Sequence, residues 1–186
     1  VTLAFTRLLA GPMDYTPGGF RNATREQFKP QSSEPMTQGT RAHQLAMYVI
    51  YEMPLAMVAD YPASYRNQPG LEFIVKVPTV WDDTEVLGGE VGKYITVARR
   101  RGNAWYLGSM TNWDARDLEI PLDFLAGRGG SRTDPTGSDE FEAEIFADGA
   151  DADKVATSLS ITQKRVKSSD KLSVRLAPGG GLAVIF

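Results

Sequence analysis

The chain changes hydrophobic period near its middle. Up to about residue 78 the apolar positions follow a helical spacing or form short runs. After about residue 80 they alternate. Val1 to Ala10 is an apolar run broken only by Thr2, Thr6 and Arg7, short enough to be a buried helix or a buried strand. Arg21 to Gly39 is polar and rich in Pro, Ser and Gln, which predicts a long loop of the kind that is often functional. Thr40 to Met53 carries the clearest helix. Ala42, Leu45, Ala46, Val49, Ile50 and Met53 fall on one face, with Thr37 or Thr40 as N-cap and Pro54 as the stop. Leu55 to Ala59 reads as a short buried strand, stopped by Asp60-Tyr61-Pro62.

The second half reads as strands. Lys93 to Arg100 and Ala104 to Thr111 flank the turn Arg101-Gly102-Asn103, which predicts a hairpin. Leu118 to Leu122 contains Pro121, which suits a sheet edge or a strand end. Phe141, Ala143 and Ile145 alternate with Glu142 and Glu144. Leu172, Val174 and Leu176 alternate with polar residues, and Leu182, Val184 and Phe186 share one face at the end. These short alternating segments predict an antiparallel β-sandwich beginning near Pro78 to Asp83. Ala126 to Glu140 is Gly/Ser/Asp-rich and reads as a mobile loop.

Composition narrows the function classes. Net charge is −3 with 20 Lys and Arg against 23 Asp and Glu, so no basic footprint for nucleic acid or an acidic membrane is present. No cysteine is present, which excludes disulfides and thiolate zinc sites. No apolar stretch reaches the roughly 20 residues of a membrane-spanning helix.

Chemistry concentrates in Gly11-Pro12-Met13-Asp14-Tyr15-Thr16-Pro17-Gly18-Gly19-Phe20. Two prolines stiffen this segment and three glycines permit tight turns, so Asp14, Tyr15 and Thr16 sit where binding groups are often held. The same pattern also suits a plain turn with Asp14 capping a backbone N–H. Asp14, Glu52 and Asp60 lie near predicted strand ends; Asp60 reads as a turn residue before Pro62, and Glu52 as a surface or salt-bridged group. His43 is the single histidine and has no nucleophile at a recognisable spacing, so it reads as packed or capping. Asp148, Asp151 and Asp153 lack the twelfth-position Glu of an EF-hand and read as a turn. Trp81, Trp105, Trp113, Tyr94 and Tyr106 suit either a sugar-stacking platform or, more simply, core and rim packing. Arg99-Arg100-Arg101 reads as a solvated charged turn.

The segments FTRLLAGPMDYTPGGF, TRAHQLAMYVIYEMPLAMVADYPASY, VPTVWDDTEVLGGEVGKYITVARRRGNAWYLGSMTNW and APGGGLAVIF resemble the C-terminal part of glycoside hydrolase family 97. That family contains α-glucosidases and α-galactosidases. The resemblance implies an α+β chain: residues 1–78 as the last βα units of a (β/α)8 barrel, with a helical stretch near Pro62 to Val77 after the last strand, then residues 79–186 as an antiparallel β-sandwich. It implies an oligosaccharide or glycoside substrate, with Asp14, Tyr15 and Thr16 as substrate-binding candidates lining the cleft. It places the catalytic carboxylates, and the glutamates that hold calcium, upstream of Val1. The chain is therefore expected to hold neither a catalytic residue nor the metal, and to be inactive alone. A bacterial, periplasmic or secreted parent is implied as well. Barrel strands without neighbours would leave apolar surface, so either repacking of residues 1–78 on the sandwich or self-association is expected. The reading of a different class is a carbohydrate-binding sandwich without catalysis.

Overall fold

The computed structural model describes residues 1–126 and 139–186. The stretch read above as a mobile loop lies almost wholly outside the described residues. In chain order the elements are β1 (Asn22–Ala23), β2 (Thr37–Gln38), α1 (Arg41–Ile50), α2 (Pro62–Tyr65), α3 (Leu71–Lys76), β3 (Asp83–Glu90), β4 (Tyr94–Arg101), β5 (Ala104–Thr111), β6 (Arg116–Pro121), β7 (Glu140–Asp148), β8 (Leu159–Lys167), β9 (Lys171–Leu176) and β10 (Gly181–Ile185).

The strands form an antiparallel sheet in the order β3-β4-β5-β10-β7-β8, faced by the small antiparallel pair β6-β9. The β4–β5 hairpin turns at Gly102-Asn103, where Arg101 still pairs with Ala104 and Gly102 takes φ +58°. Between the two sheets lies one apolar core, which includes Trp105, Leu107, Phe124, Ile145, Leu172, Leu176, Leu182 and Val184. This is the expected sandwich, with sheets of unequal size. Pro121 ends β6, opposite Lys171, as its missing N–H requires. Strands β3 and β8 were not singled out by the pattern. Six successive residues of β8, from Ser160 to Arg165, are exposed, and an edge strand with two wet faces shows no apolar alternation.

The other face of the large sheet is covered by α1, whose ten residues are all buried. Thr40 caps it, its hydroxyl accepting the His43 N–H at 3.1 Å. Leu45, Ala46, Val49 and Ile50 share a second core with Phe73 of α3, Ile95, Val97, Tyr106, Phe146 and Ala183. The Leu, Val, Ile and Phe side chains among them contribute about 1.5–3 kcal/mol each when buried. Two glycines let the helix come this close. A Cβ on Gly108 of β5 would stand 2.9 Å from the Ala46 carbonyl oxygen, and one on Gly181 of β10 2.6 Å from His43 Cα. Strand β10 is therefore buried on both faces, not only on the face of Leu182 and Val184.

Two local expectations need correction. Val1 to Ala10 is neither buried helix nor strand: it forms two 3-10 turns, Thr2–Phe5 and Arg7–Ala10, without a buried residue. Leu55 to Ala59 is not a buried strand. Leu55, Met57 and Val58 are 63%, 50% and 44% exposed, and the segment makes a single parallel bridge, Ala56 to Tyr15. Among the described residues this segment is covered only around the bridge at Ala56, and Leu55, Met57, Val58 and Ala59 are all exposed.

Candidate functional site

The glycine- and proline-rich segment is pinned to α1 and to the end of α2 by buried polar side chains. Gln44 Oε1 accepts the Gly18 N–H at 3.0 Å. Tyr48 donates its hydroxyl to the Pro17 carbonyl at 3.2 Å, and Tyr65 donates to the Gly18 carbonyl at 2.9 Å. Arg41, 1% exposed, spreads its guanidinium over three acceptors: Asn22 Oδ1 at 2.6 Å, the Phe20 carbonyl at 2.7 Å and the Pro69 carbonyl at 3.0 Å. Its plane lies 3.9 Å from the Phe20 ring centre. Burial pulls its pKa down to about 10, so it keeps its charge at neutral pH.

Alternation sorts the candidate residues. Met13 is buried and Tyr15 packs edge-on against Tyr51 at 5.2 Å, both turned toward α1. Asp14 and Thr16 are exposed on the opposite side, together with Leu55 and Met57 of the bridged neighbour segment. Asp14, Tyr15 and Thr16 therefore do not share one face. Glu52 is exposed. Asp60 does more than turn the chain before Pro62: its Oδ2 accepts the Phe20 N–H at 2.7 Å, forty positions away. That tie has no short-range sequence signal. The two bridged segments run parallel, and both lead toward the residues around Phe20 and Asp60.

The aromatic residues do not form one platform. Trp105 is buried between the sheets, while Trp81 packs on Tyr106 on the α1 side, their ring centres 5.3 Å apart. Tyr94 lies under the Arg116 guanidinium at 5.1 Å. Arg99 corrects the solvated-turn expectation: it is buried, 6.0 Å from the Trp81 ring centre, and burial lowers its pKa. Arg101 remains exposed at the hairpin tip, paired with Asp82 at 2.8 Å.

Among the described residues no group of three or more His, Cys, Asp or Glu side chains is placed to hold a metal. Asp151 instead accepts the Ser158 hydroxyl at 2.5 Å within a turn. Asp148 anchors the turn that leads into β10. Its Oδ2 accepts the Ala177 N–H at 2.8 Å and the Gly181 N–H at 3.0 Å. Beside it, His43 Nδ1 donates to the Gly180 carbonyl at 3.0 Å. The carbonyl only accepts, so the proton of the neutral ring belongs on Nδ1.

These two groups oppose each other in pH. Burial raises Asp148 from 3.8 to about 6, so its contribution to stability is whole below 3.8 and is lost as pH rises through 6. Burial lowers His43 from 6.5 to about 4, so its contribution is whole above 6.5 and is lost as pH falls through 4. Between pH 4 and 6 the slopes cancel. Asp148→Asn keeps an acceptor oxygen and removes one slope. Relative to the parent, this variant is expected to lose about 2 kcal/mol between pH 6.5 and 4. Urea unfolding at pH 4, 5 and 6.5 checks this; parallel pH curves for the two proteins would contradict it.

Comparison with known proteins agrees with this architecture. A family model described as "Glycosyl-hydrolase 97 C-terminal, oligomerisation" matches residues 80–186, more than half of the chain. The chain belongs to glycoside hydrolase family 97. It is 43% identical over 185 residues to a retaining alpha-galactosidase of Bacteroides thetaiotaomicron, an alignment covering 99% of this chain and 26% of that protein. It is 30% identical to a probable retaining alpha-galactosidase of Streptomyces bingchenggensis, covering 99% and 25%. A family 97 enzyme from Pseudoalteromonas sp. strain K8, solved with acarbose, superposes with a TM-score of 0.81 at 41% identity, over all of this chain and 28% of that one. The chain thus spans about a quarter of the length of its family 97 relatives.

Proposed function

We propose that this chain closes the catalytic barrel of a retaining α-galactosidase and braces it with a C-terminal sandwich. The observation that carries this is the parallel bridge between Tyr15 and Ala56, with α1 packed behind it. Parallel neighbours joined through a helix on one face are the repeating unit of a (β/α)8 barrel. In that reading the outward face of Asp14, Thr16, Leu55 and Met57 points into the barrel. Val1–Ala10 and Leu55–Val58 meet the strands and helices of the upstream part. Tyr15 stacks behind the barrel wall and supports Asp14 and Thr16, which approach the substrate. The relatives' names favour galactose over glucose as the sugar at the cleaved bond.

Hydrolysis of a glycoside needs two carboxyl groups across the scissile bond. We assign the reacting pair to the part of the family 97 relatives that this chain does not span. We place calcium, where the whole enzyme uses it, in that part too, since calcium needs a converging set of oxygen ligands and no group of three or more His, Cys, Asp or Glu side chains converges among the described residues. The family description points to a further task for residues 80–186, holding copies of the enzyme together.

The full-length enzyme is expected to release p-nitrophenol from p-nitrophenyl α-galactoside, with the 186-residue chain alone giving no rate above buffer. Turnover by the chain alone that disappears in Asp14→Asn would overturn the assignment of the reacting groups.

A further inference from the structure

Beyond the parallel bridge, where both segments run out, lies a cleft of about 300 Å³. Phe20 and Asn22, both buried, lie at its base. An ion pair between Arg21 and Glu34 borders it, as do Asp60 and Tyr61. Its polar atoms are held before any ligand arrives. Asp60 is fixed by the Phe20 N–H, Asn22 by Arg41, and the Arg21 guanidinium by Glu34. Tyr61 leaves 65% of its surface exposed beside them. Fixed hydrogen-bonding groups around one free aromatic ring suit a ligand with hydroxyls on its rim and a C–H face for the ring. Glu34 already balances Arg21, so an anionic ligand gains little there. The matching ligand is a neutral sugar ring.

We propose that this cleft is a subsite for one neutral pyranose unit of an oligosaccharide substrate. The proposal rests on reading residues 1–78 as the end of a barrel, since barrels bind ligands where their strands run out. It adds the residues that measure substrate length: Tyr61 stacks on the ring, and Arg21 and Asp60 bond its hydroxyls.

The test uses the full-length protein, with Tyr61→Ala and Arg21→Ala, both at exposed positions. Stachyose, maltotetraose and p-nitrophenyl α-galactoside are the probes. Each variant is expected to raise the KM for the tetrasaccharide that is cleaved about tenfold relative to the KM for the aryl galactoside. An unchanged ratio in both variants overturns the proposal. If the wild-type protein hydrolyses none of the three, the hydrolase reading fails, and calorimetric titration with the two tetrasaccharides decides the cleft alone. Binding that is lost in Tyr61→Ala then supports the subsite; no binding, or equal binding by variant and wild type, overturns it.

Discussion

Gly181→Ala is expected to cost about 3 kcal/mol or more, a large part of the roughly 5–15 kcal/mol that holds a typical domain. The added methyl would stand 2.6 Å from His43 Cα, 2.7 Å from His43 N and 2.9 Å from the Ala42 carbonyl carbon. All three atoms are helix backbone, so no side chain can swing aside. Strand β10 is also locked between β5 and β7, which leaves it no free direction. Relief requires α1 to lift from the sheet, which opens the core that holds Leu45, Val49 and Ala183. Gly102→Ala is the informative control. Nothing lies within 4 Å of its added methyl and only its φ of +58° opposes the change, so about 1 kcal/mol is expected. Urea unfolding of both variants tests this; equal losses would show that close packing of α1 on β10 is not what Gly181 provides.

Arg41→Met is expected to cost about 3 kcal/mol and to free the segment from Pro17 to Asn22. The methionine keeps most of the buried stem but no donor. The Phe20 and Pro69 carbonyls and Asn22 Oδ1 lose their partner while α1 and the Phe20 ring still limit access to water. Arg41→Lys retains the charge, yet one ammonium cannot replace a planar fork facing three acceptors, so about 2 kcal/mol of the loss should remain. Amide exchange separates this from general loosening. The Gly18 and Phe20 N–H groups, bonded to Gln44 and Asp60, should exchange much faster, with the β4–β5 ladder changed only by the global loss. Unfolding within 1 kcal/mol of the parent would show that the guanidinium is not the clamp.

The hairpin at Gly102, the helix beginning after Thr40 and the alternation of Phe141, Ala143 and Ile145 were legible because neighbouring residues alone decide them. Strand β8 was not legible, because an edge strand exposed on both faces has no reason to alternate. Arg99 was misread for the opposite reason. Its sequence neighbours are charged, while Trp81 and the Ile50 carbonyl, which receive it, are distant in sequence. The candidate segment was legible as stiff, but its orientation was not. Gln44, Tyr48, Tyr65, Asp60 and Arg41 set that orientation from positions 20 or more residues away.

Period, turn chemistry and long matching segments in the amino-acid order were sufficient for the family and for a β-sandwich in the second half, because those signals are local or purely textual. Tertiary structure alone decided that α1 lies on the sheet through Gly108 and Gly181, and that Asp14 and Thr16 face away from it. Glycine spacing does not say which partner will fill the space it leaves, and only packing in three dimensions chooses which side of a segment is covered.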